Sequence, residues 1–184
     1  MTHKSCPFLV FGFHGCARSV AEKVLSGEEE LMPSGNTYDW LGTGVYFWEN
    51  APGRALQWAK AQKKREPYVV GAVIQLSSCL NLMDKASAEE IKKAYDEAWA
   101  LSLKTGISLP ENNGGLHRLD MTIINATTTT AERKGCAYDA VRGAFIEGGE
   151  VFPGSSIRSD THIQLCVRKP ECIIAYFRPK TLRP

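Results

Sequence analysis

Long apolar runs, paired cysteines and an excess of either charge are all missing from this chain of 184 residues. The apolar stretch Phe8 to Phe13 contains Gly12 and runs straight into His14, so it is too short for a bilayer span and lacks the form of a signal peptide. A cytoplasmic protein with no membrane partner is expected. The six cysteines, at positions 6, 16, 79, 136, 166 and 172, form no C-x-x-C pair and have no histidine at zinc-ligand spacing. They read as reduced, mostly buried thiols, with no metal site. The 22 basic residues against 20 acidic ones leave a formal net charge of +2, far from the strongly basic balance of an obligate nucleic-acid binder. Repeats and low-complexity segments are absent as well.

What is present suits one globular domain over residues 1–184, with 43% hydrophobic and 23% charged residues and enough length for a sizeable core. Residues 17–26 place Ala17, Val20, Ala21, Val24 and Leu25 on one helical stripe, with Gly27 as the cap. Asn50-Ala51-Pro52 reads as the start of a helix reaching about Lys64 and stopped by Pro67. Tyr68 to Leu76 is strand-like, and Ser87-x-x-Glu90 reads as a capping box opening a helix. Residues 110–115 read as a loop, 116–133 as a helix weakened by Thr127 to Thr130, and 137–145, 162–168 and 172–177 as strands. The class is α+β, with residues 84–135 as a helical insertion.

Three short polar motifs stand at strand-like positions. Gly42-Thr43-Gly44-Val45-Tyr46-Phe47 follows Tyr38-Asp39-Trp40-Leu41 and leads into an alanine-rich helix, a texture suited to a backbone that approaches a flat ligand and an aromatic ring that stacks on it. Phe13-His14-Gly15-Cys16 closes the first apolar run, where a buried strand is expected to finish. Thr161-His162-Ile163-Gln164 opens a late strand and puts His162 and Gln164 on one face by the two-residue period. Three polar strand ends are thus expected to converge.

This order resembles the ADP-ribosyltransferase superfamily, in its diphtheria-toxin-like branch that includes the poly(ADP-ribose) polymerases. The likeness spans residues 8 to about 177, and Gly42 to Phe47 is its specific part. It implies a split β-sandwich of two packed sheets with peripheral helices and an NAD cleft between them. It also implies NAD as substrate, His14, Tyr46 and Gln164 as catalytic residues, and His14, Gly15, Gly44, Tyr46, Arg54 and Trp58 as the residues that bind it. His14 would bond a ribose hydroxyl, Gly15 the carboxamide through its backbone, and Tyr46 would stack on the nicotinamide ring.

Two departures from the family pattern matter. Glutamine at 164 replaces the glutamate of the most active members; it bonds a hydroxyl but carries no charge to support a cation and cannot act as a base. Polymer elongation is therefore not expected, and a base for single transfer is sought among Asp160, Glu150 and Asp139. Arg54 and Gln57 stand where the polymerases carry a serine and a second stacking tyrosine, so Trp58 or Trp48 would supply the second aromatic face and Arg54 would pair with the pyrophosphate. Asp39, Trp40, Arg142 and Arg158 are further cleft candidates. The expected activity is a toxin-like mono-ADP-ribosyl transfer to a macromolecular acceptor, protein or nucleic acid. A catalytically silent NAD or ADP-ribose binding module and an NAD glycohydrolase are the alternatives. Residues 84–135, which the minimal fold does not need, would cover the cleft or bind a neutralising protein partner.

Overall fold

The computed structural model describes residues 8–180; Cys6 lies outside them. The apolar run does not stop at Phe13 but continues as one ten-residue strand, β1 (Phe8–Ala17), which pairs along its whole length with β3 (Pro67–Leu76). Helix α1 (Arg18–Ser26) follows directly, with Gly27 capping it in the left-handed region at φ 79°. Strand β2 (Val45–Glu49) meets β1 over two residue pairs only, Gly12 with Glu49 and Phe13 with Trp48. Beyond that point β1 and β2 part, so His14 sits in mid-strand at a split rather than at a strand end.

Helix α2 (Pro52–Ala61) opens on Pro52, as expected, and buries Ala55 and Ala59. It lies close on β1 because residue 15 is glycine: a Cβ there would stand 2.1 Å from the Ala55 carbonyl oxygen. Strand β4 (Cys79–Asn81) precedes the long exposed helix α3 (Lys85–Thr105). The Ser87–Glu90 capping box does not form. Asp84 is the N-cap instead, accepting from the Ser87 N–H at 3.3 Å, while Glu90 accepts from the Tyr138 hydroxyl at 2.6 Å.

Residues 110–115 are not simply loop. They contain β5 (Asn112–Asn113), which pairs with β6 (Leu116–His117) in a small hairpin turned by Gly114 and Gly115. Helix α4 (Arg118–Arg133) tolerates its threonine run because Thr127 and Thr128 turn their hydroxyls back onto the Ile123 and Ile124 carbonyls. α4 buries Ile123, Ile124, Thr127, Thr128 and Ala131, so this part of the segment 84–135 packs against the rest of the structure.

The chain finishes with β7 (Ala140–Phe145), β8 (His162–Val167), a 3-10 turn at Pro170–Cys172 and β9 (Ile173–Phe177). β7 begins three residues later than the alternation suggests because Asp139 turns away to accept from the Ser78 N–H and pair with Lys169. The expected pair of separate sheets is not what forms among the described residues. Seven strands make one mixed sheet in the order β4-β7-β8-β2-β1-β3-β9, and the short β1–β2 pairing is its seam.

Alternate residues feed different cores. Val45 and Phe47 of β2, Leu165 and Val167 of β8, and Val70, Ala72, Ile74 and Leu76 of β3 share one buried cluster, with Phe47 and Ile74 closing over Gly12. Trp48, Val69 and Ala55 form another under α2, and Leu41, Val141, Phe145 and Cys166 a third toward α4. Cys16 and Cys166 are buried, Cys79 and Cys172 half-buried and Cys136 exposed; all five are unpaired. No helix among the described residues is long and apolar enough to cross a membrane.

Candidate functional site

A cleft of about 320 Å³ opens at the seam, and His14, Tyr46 and Gln164 all line it, together with Arg54, Trp48 and Trp58. The strand register brings this about: Tyr46 and Trp48 alternate onto one face of β2, and Trp48 lies directly opposite Gln164 of β8. His14 reaches the same space across the gap between β1 and β2, where its Nδ1 lies 2.8 Å from the Tyr46 carbonyl oxygen.

A carbonyl only accepts, so the His14 Nδ1 carries the hydrogen and Nε2 is left as an acceptor on a cleft-lining ring. Burial is the main force that lowers the His14 pKa from its ordinary value of 6.5; the Tyr46 carbonyl opposes the shift and Lys64 adds to it. The ring is therefore neutral at pH 7. Because the folded chain binds that proton less readily than the unfolded one, stability is expected to fall as pH drops below 6.5. Asparagine at 14 keeps a donor for the carbonyl but cannot titrate. His14→Asn should thus show a shallower loss of melting temperature than the parent between pH 7 and pH 5, and equal slopes would refute the assignment.

Tyr46 is fixed at its hydroxyl, which donates to the Gly42 carbonyl at 2.7 Å and accepts from the Leu41 N–H at 2.9 Å. Burial, reinforced by Cys166 and Asp39, holds the phenol far above its ordinary range. Tyr46 therefore offers the cleft an aromatic face and no proton chemistry. Gln164 is fixed at its amide nitrogen. His162 is buried, its Nδ1 donates to the Asp160 carbonyl at 2.6 Å, and its Nε2 accepts from the Gln164 Nε2 at 2.8 Å. That pairing fixes the amide orientation and leaves the Gln164 Oε1 as an acceptor with no partner among the described residues.

Two donors in the lining are orphans. The Trp48 indole Nε1, in a side chain 5% exposed, and the Arg54 Nε are both buried without a hydrogen-bond partner among the described residues. Arg54 otherwise bonds Glu147 at 2.7 Å, Gln57 at 2.7 Å and Asp160 at 3.4 Å. Trp58 packs on Trp48 with ring centroids 5.6 Å apart and carries Lys64 over its ring. An unsatisfied buried donor costs about 1–3 kcal/mol.

The chain matches no protein-family model, no curated protein and no solved structure.

The other candidates divide. Asp39 and Trp40 line the cleft, and the hairpin tip reaches it at Gly115 while His117 packs on Trp40. Asp39 is buried and holds a turn, accepting from the Ser34 hydroxyl and the Asn36 N–H. Gly15 and Gly44 are not on the lining. A Cβ at 44 would stand 2.5 Å from the Val167 carbonyl, so both glycines admit protein backbone. Arg142 lies away from the cleft in a bidentate pair with Glu49, and Arg158 pairs with Glu150 on its own loop. Sequence reasoning misses Glu147, which lines the cleft two residues beyond Phe145, the last residue of β7. Its only sequence signal is its place in the turn Glu147-Gly148-Gly149, and which side of the sheet that turn faces depends on the β7–β8 register.

Proposed function

We propose that this chain is a toxin-like mono-ADP-ribosyltransferase that takes NAD as substrate, releases nicotinamide and transfers ADP-ribose to a macromolecular acceptor. The observation that carries the reading is the seam cleft, where a histidine acceptor, a fixed aromatic face and a glutamine acceptor from three separate strands come together beside orphan donors. On this reading the seven-stranded sheet is a split β-sandwich whose halves separate at the β1–β2 seam.

The residues fit the substrate. A planar nicotinamide is held by the Tyr46 face, with Trp48 and Trp58 beside it. The His14 Nε2 and Gln164 Oε1 accept from ribose hydroxyls, and the Arg54 and Trp48 N–H groups meet pyrophosphate or carboxamide oxygens. Departure of nicotinamide leaves an oxocarbenium-like sugar, so rate comes from orientation, exclusion of water and acceptors held near the anomeric carbon.

The test is incubation of the purified chain with adenine-labelled NAD and a cell lysate, treated or untreated with protease or nuclease, with label transfer and free nicotinamide both followed. Label on a protease- or nuclease-sensitive species together with nicotinamide release is expected. Nicotinamide release without label would replace the reading by a glycohydrolase, and bound NAD with neither product by a silent binding module.

A further inference from the structure

We propose that Glu147 supplies the carboxylate that position 164 lacks, acting as the base that takes the proton from a neutral O–H or N–H acceptor; this rests on the transferase reading above. Glu147 lines the cleft with Gln164, and the His162 imidazole lies between the two. The His162 Nε2 is 2.8 Å from the Gln164 amide nitrogen, and the His162 Nδ1 is 3.9 Å from the Glu147 Oε2. The same Oε2 accepts from Arg54 at 2.7 Å, which holds the carboxylate in place. Oε1 bonds nothing among the described residues, and the side chain is one-third exposed, so an acceptor arriving from solvent can reach it.

The other carboxylates are engaged elsewhere. Asp160 is off the lining and accepts from Arg54 and the Ser159 hydroxyl; Glu150 holds the Gly154 N–H and faces Arg158; Asp139 holds the Ser78 N–H and Lys169. Asp39 shares the cleft, but it is buried and its Oδ2 serves the turn at Ser34 and Asn36.

In the step, the bond from the ribose anomeric carbon to the nicotinamide nitrogen breaks and its electron pair leaves with neutral nicotinamide. A lone pair of the acceptor oxygen or nitrogen forms the new bond to that carbon. The acceptor proton passes to the Glu147 Oε1 and then to solvent, which restores the carboxylate. Charge and base are thereby divided from hydroxyl recognition, which stays with Gln164.

The experiment compares Glu147→Gln, Glu147→Ala and Glu150→Gln with the parent chain. It reads label transfer, NAD affinity by quenching of tryptophan fluorescence, and melting temperature. Glu147→Gln keeps a hydrogen-bond acceptor for Arg54, so NAD affinity should change by less than about threefold while transfer falls by about 10²- to 10³-fold. Glu150→Gln should transfer like the parent, and added formate should restore part of the rate in Glu147→Ala. The base role is overturned if Glu147→Gln transfers at more than about one-third of the parent rate, if the loss follows NAD affinity or folding, or if formate restores nothing. A parent chain that binds NAD but releases no nicotinamide would instead sink the transferase reading itself, and the base role with it.

Discussion

Alanine at position 15 is expected to cost about 3 kcal/mol of stability, a fall in melting temperature of roughly 6–12 °C for a chain of this size. The added methyl carbon would stand 2.1 Å from the Ala55 carbonyl oxygen and 3.2 Å from the Ala59 Cβ. The first of these is helix backbone, so it cannot turn aside as a side-chain tip would. Either β1 or α2 must move, and α2 carries Arg54 and Trp58 into the cleft. On the proposed transferase reading, NAD affinity should therefore fall together with stability. Alanine at Gly53, where nothing lies within 4 Å of the position a Cβ would take, is the matched control. A Gly15→Ala chain melting within about 2 °C of the parent would mean that α2 does not pack on β1 in this way.

The second large effect lies on the opposite face of the sheet. Arg142 of β7 and Glu49 at the end of β2 clasp across β8 with contacts of 2.6 and 2.8 Å, their side chains only 15% and 9% exposed. Removing one partner leaves the other charge in a poorly solvated place, which typically costs about 3–5 kcal/mol, whereas replacing both by apolar groups of similar volume is often close to neutral. Arg142→Met alone should lower the stability measured by denaturant titration by that amount. The double variant Arg142→Met, Glu49→Leu should recover most of it. Equal destabilisation in the single and double variants would show that the pair specifies strand placement through its geometry and does not merely neutralise a buried charge.

The two cases also mark where the sequence is legible. Gly15 stands out as part of a His-Gly motif, but the reason for the glycine, a helix carbonyl against the strand, is a long-range contact that no local pattern encodes. Arg142 alternates along β7 like any surface charge; its partner lies on β2, and only the β7-β8-β2 order brings the two together. By contrast, the convergence of His14, Tyr46 and Gln164 is readable, because each stands in a short polar or glycine-bearing motif at an apolar, strand-forming run. The helices α1, α2 and α4 are readable from apolar spacing and from glycine and proline punctuation. The start of α3 is not, because Ser87 and Glu90 satisfy the capping-box pattern while Asp84, three residues before Ser87, does the capping.

The glycine turn that presents Tyr46 is gripped from outside the strands. Asn125 of α4 accepts from the Thr43 N–H at 3.0 Å, and Arg168 donates to both the Asn125 side chain and the Thr43 carbonyl at 3.0 Å. A chain trimmed to its strands and first two helices would lose the Asn125 grip on that turn and strip from Leu41, Val141, Phe145 and Cys166 the cover that Ile124 gives them. The smallest unit that keeps the Tyr46 ring in place therefore extends through α4.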